Sequence, residues 1–401
     1  MARTDVNRSA ILAHLGAHGP ASRADLARSL SLSPALMTQL SKDLIADGLI
    51  RELAHQASQG GRPARMLGLV ASAGRAVGVK VAADHLAFVE VGIDGSVGRT
   101  ASEPFDAAAN TMLAVLADRL RRFIAGGADT PLLGVGVGVP GDVDAQGTGI
   151  VNSTQLGWTN VPIGSTLRRE LGLPVLVENN VNAVAMAERL YGLGRRHRNF
   201  LVVTIGTGVG AAIVIDGVIV RGTGGGAGEI GHIPVRDEGP LCSCGNRGCL
   251  ETFISEDALV RIARERGVIG SDAPLAALRD AAAGGDAAAA AIFGEAGHLL
   301  GRTLAGLVHA LDPEIIIVLG EGTTDWAHWS FGFEPAFRAA LMPSRRGVAV
   351  AVESWQDDSW AQGAATLVLA TPFDADGVAG DQGDLVRQRL VEQAAPAGDP
   401  S

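Results

Sequence analysis

Residues Gly231–Glu251 read GHIPVRDEGPLCSCGNRGCLE, and no other segment says as much about the architecture. The segment holds all three cysteines of the 401-residue chain, Cys242, Cys244 and Cys249, with His232 ten residues before the first of them. One imidazole and three thiolates form a closed tetrahedral donor set, which predicts a structural Zn²⁺ site. The alternative is three buried or free thiols without a metal. Three clustered cysteines cannot form a disulfide framework, which indicates a reducing compartment.

Polar residues flank this segment and also follow the apolar run 174–177, at the strand end where open α/β sheets bind ligands. Carboxylates, amides and an imidazole suit a polyhydroxylated ligand, since each can donate or accept hydrogen bonds with vicinal hydroxyls. The alternative is helix capping and surface solvation. The residues of this set are Glu178, Asn179, Asn180, Glu229, His232 and Glu251.

Two glycine-rich turns follow predicted strands. Residues 204–210 read TIGTGVG, and a turn of this kind can offer backbone N–H groups and a hydroxyl to phosphate. Residues 134–141 read GVGVGVPG. Each turn is weak evidence by itself, because glycines in α/β turns usually serve the backbone geometry.

The pattern of apolar and turn residues in 1–70 predicts three short helices followed by a hairpin with strands at 49–53 and 65–70. Ser22 and Ser33 are expected to cap the second and third helices, and Pro34 suits the first position of the third. Leu36, Leu40 and Leu44 are expected to form the buried stripe of that third helix.

The opposite face of the third helix carries small polar side chains and amides, which suit base edges in the major groove of DNA. The loop 60–63 would bring an arginine to a narrow minor groove. Residues 1–70 carry a net charge of +3 in a chain of net charge −10, so a basic head precedes an acidic body. The alternative is a small bundle for dimerisation or protein docking. The predicted DNA contacts are Ser33, Ala35, Thr38, Gln39, Lys42 and Arg62.

Beyond residue 75, short Val/Ile-rich runs alternate with helical segments, which predicts an α/β architecture. The expected strands are 77–82, 87–92, 133–138, 174–178, 200–205, 211–220 and 314–319. The expected helices include 182–190 and a long, largely buried helix over 286–311.

No apolar run approaches the length of about 18 residues that a membrane helix needs. The first residues lack the apolar region of a secretory signal. We therefore expect a cytoplasmic protein with no membrane partner.

Together these motifs resemble the ROK family, named for repressors, open reading frames and kinases. The resemblance runs from about residue 6 to residue 370. It rests on the zinc-type segment and on four further stretches, Val139-Pro140-Gly141, Leu156-Gly157-Trp158, Leu311-Asp312-Pro313-Glu314 and Gly363-Ala364-Ala365.

The resemblance implies an α/β, actin-like body of the sugar-kinase type, with two lobes and a sugar in the cleft between them. A winged helix-turn-helix in front marks the regulator branch, in which a dimer binds operator DNA. We therefore expect a winged helix-turn-helix domain at 1–70 and a ROK body at 71–370 with hinges near 180–190 and 350–360. Residues 371–401 are expected to be an acidic, mostly disordered tail with a short helix near 384–393.

Carried over from the family, the sugar-binding positions are Asn179, Asn180, Glu229, His232 and Glu251. The zinc positions are His232, Cys242, Cys244 and Cys249, so His232 would contact both ligands.

The chain departs from the family's kinases in two places. The kinases have an aspartate as catalytic base in the pattern Glu-Asn-Asp, where this chain has Asn180. Their first phosphate motif, Asp-x-Gly-Gly-Thr, corresponds to residues 78–84, which lack Gly-Gly-Thr. Both changes favour a homologue without kinase activity.

We therefore expect a repressor of carbohydrate genes that binds operator DNA and a sugar or sugar-phosphate effector, as a homodimer or dimer of dimers. Sugar binding would change the angle between the lobes and shift the two DNA-binding heads of the dimer relative to each other, so that they no longer match half-sites about one helical turn apart. One alternative is an ATP-dependent sugar kinase with a regulatory head. Another is a regulator controlled by a protein partner.

Overall fold

The computed structural model describes residues 7–8, 11–12, 14–16, 19–53, 65–144, 148–353, 357–371 and 380–394. Contacts divide the chain into two compact units. The first unit comprises Met1–Arg195 and Asp358–Ser401, and the second comprises Arg196–Asp357. No helix among these described ranges is long and apolar enough to cross a membrane.

The strands are β1 (Ala21–Ser22), β2 (Ile50–Leu53), β3 (Met66–Leu69), β4 (Arg75–Val81), β5 (His85–Gly92), β6 (Val97–Pro104), β7 (Leu132–Val139), β8 (Asp142–Val143), β9 (Ile150–Ser153), β10 (Trp158–Pro162), β11 (Val175–Asn179), β12 (Phe200–Ile205), β13 (Val209–Ile215), β14 (Val218–Ile219), β15 (Ile315–Leu319) and β16 (Ala349–Val352). The helices that follow residue 20 are α1 (Arg23–Ser29), α2 (Pro34–Ala46), α3 (Met112–Ala125), α4 (Ile163–Leu171), α5 (Asn180–Leu190), α6 (Glu251–Ile254), α7 (Glu256–Glu265), α8 (Leu275–Ala283), α9 (Ala287–Leu311), α10 (Trp326–Ala340), α11 (Asp357–Ala370) and α12 (Gly380–Ala394).

The N-terminal elements form a winged helix arrangement. Helix α1 is capped by Ser22, whose side chain accepts the backbone N–H of Asp25. Helix α2 is capped in the same way by Ser33 and begins at Pro34. Strands β2 and β3 pair antiparallel, with β1 on the other side of β3. These caps and the hairpin confirm the expectations from sequence, since each depends on residues close together in the chain.

The buried stripe of α2 differs from the expected one. Leu36 is 38% exposed, whereas Met37 is fully buried together with Leu40, Ser41 and Leu44. Positions 37, 40, 41 and 44 lie on one face of a helix, because each residue advances by about 100° around the axis. The spacing 36, 40, 44 drifts around the axis by about 40° per step, and this moves Leu36 to the solvent side.

The first unit contains a five-stranded sheet of order β11-β7-β4-β5-β6, in which β11, β7 and β4 run parallel. Helix α11 packs directly on this sheet. A Cβ on Gly78 would lie 1.9 Å from the carbonyl oxygen of Ala361, and one on Gly136 would lie 1.8 Å from that of Ala364. Gly136, in the 134–141 stretch, therefore serves close packing of a helix against the sheet.

The second unit repeats the pattern in a sheet of order β14-β13-β12-β15-β16, again with three parallel strands and an antiparallel pair. Helix α9 covers it and meets α10 at glycine contacts. A Cβ on Gly297 would lie 2.1 Å from the carbonyl oxygen of Trp329, and one on Gly332 would lie 1.8 Å from that of Gly294. The close backbone approach explains why glycine occurs inside two long helices.

Three expected elements have different bounds. The strand expected at 211–220 is divided into β13 and β14 by a turn at Asp216 and Gly217, both with positive φ. The helix expected to start at residue 182 starts at Asn180, because the Asn179 side chain caps it. The short helix expected near 384–393 in the tail is present as the longer α12, and its Val386 and Leu390 are buried in the core of the first unit, which was not expected. Apolar residues scattered in an acidic segment gave no hint of this burial.

Candidate functional sites

The loop 232–249 brings four metal-ligand side chains together. Cys242 donates its backbone N–H to the carbonyl oxygen of Asn246, and a short antiparallel bridge joins Leu241 to Arg247. Gly248 has a positive φ of 71°, and a Cβ there would lie 1.8 Å from the carbonyl oxygen of Arg236. Glycine is therefore required at this position for the loop to close.

The ligand atoms of His232, Cys242, Cys244 and Cys249 all lie within 4.8 Å of one another. His232 Nδ1 is 3.3 Å from Cys242 Sγ, and Cys244 Sγ is 3.7 Å from Cys249 Sγ. Zinc bonds of about 2.0 Å to nitrogen and 2.3 Å to sulfur place tetrahedral ligands about 3.5 Å (nitrogen to sulfur) and about 3.8 Å (sulfur to sulfur) apart, close to the distances found here. The donor set and its spacing therefore fit Zn²⁺.

The thiols differ in environment. Cys242 and Cys249 are buried, whereas Cys244 is exposed. Burial raises the pKa of the Cys249 thiol to about 12, while a hydrogen bond from the backbone of Asn246 lowers the pKa of the Cys244 thiol. A bound dication favours deprotonation of coordinating thiols, so it would offset the cost of the buried thiolate.

Two carboxylates lie near this cluster. Glu229 Oε2 is 3.7 Å from His232 Nε2, the ring nitrogen opposite the one that faces Cys242. Glu251 follows the last cysteine and accepts the backbone N–H of Val209 at 2.9 Å. His232 therefore offers one nitrogen to the cysteines and one to Glu229, and a Cβ on the neighbouring Gly231 would lie 3.3 Å from Glu251 Oε2.

Asn179 and Asn180 lie where β11 meets α5 in the first unit. The Asn179 side chain accepts the N–H groups of Val181 and Asn182 and donates to the carbonyl oxygen of Gly141 at 3.0 Å. Asn180 is half-buried, and its side-chain oxygen accepts the N–H of Val181. The capping interpretation therefore holds for Asn179.

The sequence reasoning did not select Asn182 as a site residue. Its side chain donates to Glu178 Oε1 at 3.2 Å, and Glu178 is buried as well. Asn182 is 2% exposed, and its side-chain oxygen has no hydrogen-bond partner in the part of the chain that the structure describes. The pattern Glu-Asn-Asn-Val-Asn, which places two polar side chains four residues apart across the junction of β11 and α5, was the available signal.

Four of the six predicted DNA contacts lie on the exposed face of α2. Ala35, Thr38, Gln39 and Lys42 are all exposed. The Gln39 side chain donates to Asp43 at 2.9 Å, and the Thr38 hydroxyl donates to the carbonyl oxygen of residue 34. Ser33 is the cap residue of the helix. Arg62 and the loop 60–63 lie outside the described residues.

Two family models match the chain. The model of the ROK family matches residues 76–371, and the model of the MarR family matches residues 6–58. Among curated proteins, the chain is 29% identical over 313 residues to the xylose repressor of Caldicellulosiruptor bescii, covering 74% of this chain and 78% of that protein. It is 35% identical over 250 residues to the glucokinase of Thermotoga maritima, covering 58% of this chain and 78% of that protein.

Solved structures give the same grouping. A ROK family transcriptional regulator, a homologue of the E. coli MLC protein, matches with a TM-score of 0.81 at 26% identity, over 97% of this chain and 99% of that chain. A ROK family glucokinase from Streptomyces griseus, in complex with glucose and AMPPNP, matches with a TM-score of 0.66 at 28% identity, over 73% of this chain and 98% of that chain. The chain therefore belongs to the ROK family and carries a MarR-type winged helix domain in front of the ROK body.

Proposed function

We propose that this protein is a sugar-responsive DNA-binding repressor of genes for carbohydrate uptake or catabolism. The order of its domains carries the proposal, since a MarR-type winged helix at 6–58 precedes a ROK body at 76–371. The similar ROK transcriptional regulator accounts for 97% of this chain, whereas the ROK glucokinase structure accounts for 73%. The additional residues are therefore of the regulator type.

The proposed DNA interface is the exposed face of α2. Thr38 and Gln39 read base edges in the major groove, and Lys42 and Arg62 contact the backbone or the minor groove. Ser33 and Ala35 are small enough to allow a close approach of the helix. A homodimer would present two such helices to two half-sites about one helical turn apart.

The proposed metal is a structural Zn²⁺ held by His232, Cys242, Cys244 and Cys249. All four positions are taken by the protein, so the ion would hold the loop and would not activate water. The ligand geometry supports this proposal. Because His232 Nε2 faces Glu229, the metal would also fix the imidazole for a ligand on that side.

The proposed sugar contacts are Asn179, Asn180, Glu229, His232 and Glu251. Three of the similar curated proteins are named xylose repressors, so D-xylose is the first sugar to test. D-glucose follows, because the similar glucokinase structure contains glucose. The sugar shifts operator binding only as far as its affinity differs between two states of the protein, typically about 1–3 kcal/mol.

We further propose that the protein is not a kinase. An amide at Asn180 can hydrogen-bond a sugar hydroxyl but cannot take its proton at neutral pH, and transfer to a hydroxyl needs a positioned base. The 35% identity to a glucokinase favours the alternative, an ATP-dependent sugar kinase with a DNA-binding head. A coupled assay with ATP, Mg²⁺ and a sugar panel separates the two, and sugar-dependent ADP release by the unmodified protein would establish the alternative.

The repressor proposal is tested with DNA selected from a random pool by the full chain. Fluorescence anisotropy should show specific binding that changes when D-xylose, D-glucose or another sugar of the panel is added. A chain lacking residues 1–70 is the control and should not bind the selected DNA. Equal binding by the truncated chain, or no response to any sugar, would contradict the proposal.

A further inference from the structure

The glycine turn Gly206–Gly210 has the composition of a phosphate-binding turn, yet carboxylates from two other segments reach it. Glu251 at the start of α6 accepts the backbone N–H of Val209 at 2.9 Å. Glu321 follows β15 and lies against Gly206, where a Cβ would be only 2.4 Å from Glu321 Oε2. The N–H groups of Gly206 and Val209 are therefore already used, by the carbonyl oxygen of Gly208 and by Glu251, and the space above Gly206 is filled by an anionic group.

The backbone around Glu321 holds this carboxylate in place. Gly320 has a positive φ of 100°, and a Cβ on it would lie 2.4 Å from the carbonyl oxygen of Ile205. The Thr323 hydroxyl donates to the carbonyl oxygen of Gly320 at 2.8 Å, and both Gly322 and Thr323 are buried. The segment that carries Glu321 is thus packed against the end of β12, immediately before the turn.

The neighbouring charges add to the negative field at the turn. Glu256 donates its backbone N–H to the carbonyl oxygen of Gly206 at 2.9 Å. Its carboxylate and that of Asp325 share one guanidinium, that of Arg279, at 3.2 and 2.6 Å. Burial raises the pKa of Glu256, and the negative charge of Glu321 raises it further. Two carboxylates thus share one guanidinium, and the charge of Glu321 adds to theirs, which leaves an excess of negative charge.

We propose that Glu321 bars polyphosphate ligands, nucleoside triphosphates included, from the glycine turn. Its carboxylate fills the place where a phosphate must approach the backbone of Gly206, and it repels the phosphate charge. This inference rests on the proposed function and extends it, because it assigns the exclusion of nucleotide to a residue of the second unit. Glu321 is separate from Asn180 and from residues 78–84, on which the sequence argument relied.

The test is calorimetric titration of the full chain with AMPPNP and Mg²⁺, and separately with tripolyphosphate. The unmodified protein should bind neither at millimolar concentration. Glu321→Gly removes both the bulk and the charge, and it should strengthen binding at least about tenfold, because a like charge against a ligand typically costs several times RT. Glu321→Gln removes the charge and keeps the bulk, so its gain should be smaller.

Glu334→Gln is the matched control, since Glu334 is a surface glutamate of α10 paired with Arg338, and it should behave like the unmodified protein. Millimolar or tighter binding by the unmodified protein overturns the inference. The inference is also overturned if both Glu321 variants are folded, with unchanged thermal melting, and neither gains affinity. The sugar-induced thermal shift is measured in parallel and should persist in both variants. If the unmodified protein shows no sugar-induced shift, the proposed function is contradicted. The nucleotide titrations still test the role of Glu321 in that case.

Discussion

Replacement of Asn179 by alanine should loosen the start of α5 by an amount that follows from its contacts. The side chain accepts two N–H groups, from Val181 at 2.8 Å and Asn182 at 3.3 Å, and donates to the carbonyl oxygen of Gly141 at 3.0 Å. Loss of an N-cap typically costs about 1 kcal/mol. Loss of the further hydrogen bond adds about 1 kcal/mol. The sum of about 2 kcal/mol corresponds to roughly 25-fold more frequent local opening of α5.

Hydrogen exchange measured by mass spectrometry on the peptide covering α5 would detect this opening. Asn179→Asp keeps the capping oxygen but loses the donor to Gly141, so about half of the effect is expected. Thr111→Ala is the control, because Thr111 precedes α3 without a side-chain capping bond and its loss should leave α3 unchanged. Exchange in Asn179→Ala within about twofold of the unmodified protein would refute the capping role. If Asn179 also contacts the sugar, titration should show weaker binding in both Asn179 variants.

Four further outcomes are expected. Cys244→Ser should lose the metal, with less than about 0.1 zinc per chain by mass spectrometry, and should weaken sugar binding, because metal binding and loop folding are linked; a full zinc content would exclude Cys244 as a ligand. Gln39→Ala should cost about 1–3 kcal/mol on the selected DNA and relax specificity at one or two base pairs, as measured by anisotropy on single-base variants; equal loss on all sequences would contradict a role in base readout. Asn180→Asp should restore little or no kinase activity in the coupled assay, since residues 78–84 still lack Gly-Gly-Thr; substantial activity would show that the base was the only defect. Glu90→Ala should destabilise the first unit by about 3–5 kcal/mol in urea unfolding, because it leaves the buried guanidinium of Arg75, 3.0 Å away, without its partner; a loss below about 1 kcal/mol would contradict this estimate.

Local sequence patterns predicted those parts of the fold that depend on neighbours in the chain. Ser22 and Ser33 cap helices through hydrogen bonds to residues three positions ahead. Six of the seven expected strands occur within about two residues of their expected bounds, because runs of Val and Ile are buried on both faces of a parallel sheet. The same locality explains the error at 211–220, since the turn at Asp216 interrupts an apolar pattern that continues on both sides of it.

The repeated sheet order of the two units could not be found from sequence. The sheets β6-β5-β4-β7-β11 and β14-β13-β12-β15-β16 have the same strand order along the chain. The side chains of each sheet pack against different helices, so the two sequences show no similarity. Burial of α12 was likewise missed, because its Val386 and Leu390 face a core built from residues far away in the chain.

In the candidate site, too, the features that depend on nearby residues could be predicted and those that depend on distant residues could not. The donor set of His232 and the three cysteines could be read directly, because four metal ligands within eighteen residues require no knowledge of the rest of the fold. The contact of Glu321 with Gly206 could not, since more than one hundred residues separate the two positions. Short-range hydrogen bonds and ligand spacing are determined by residues close together in the chain. The position of a carboxylate against a distant turn is determined by the register and packing of the sheet that carries both segments.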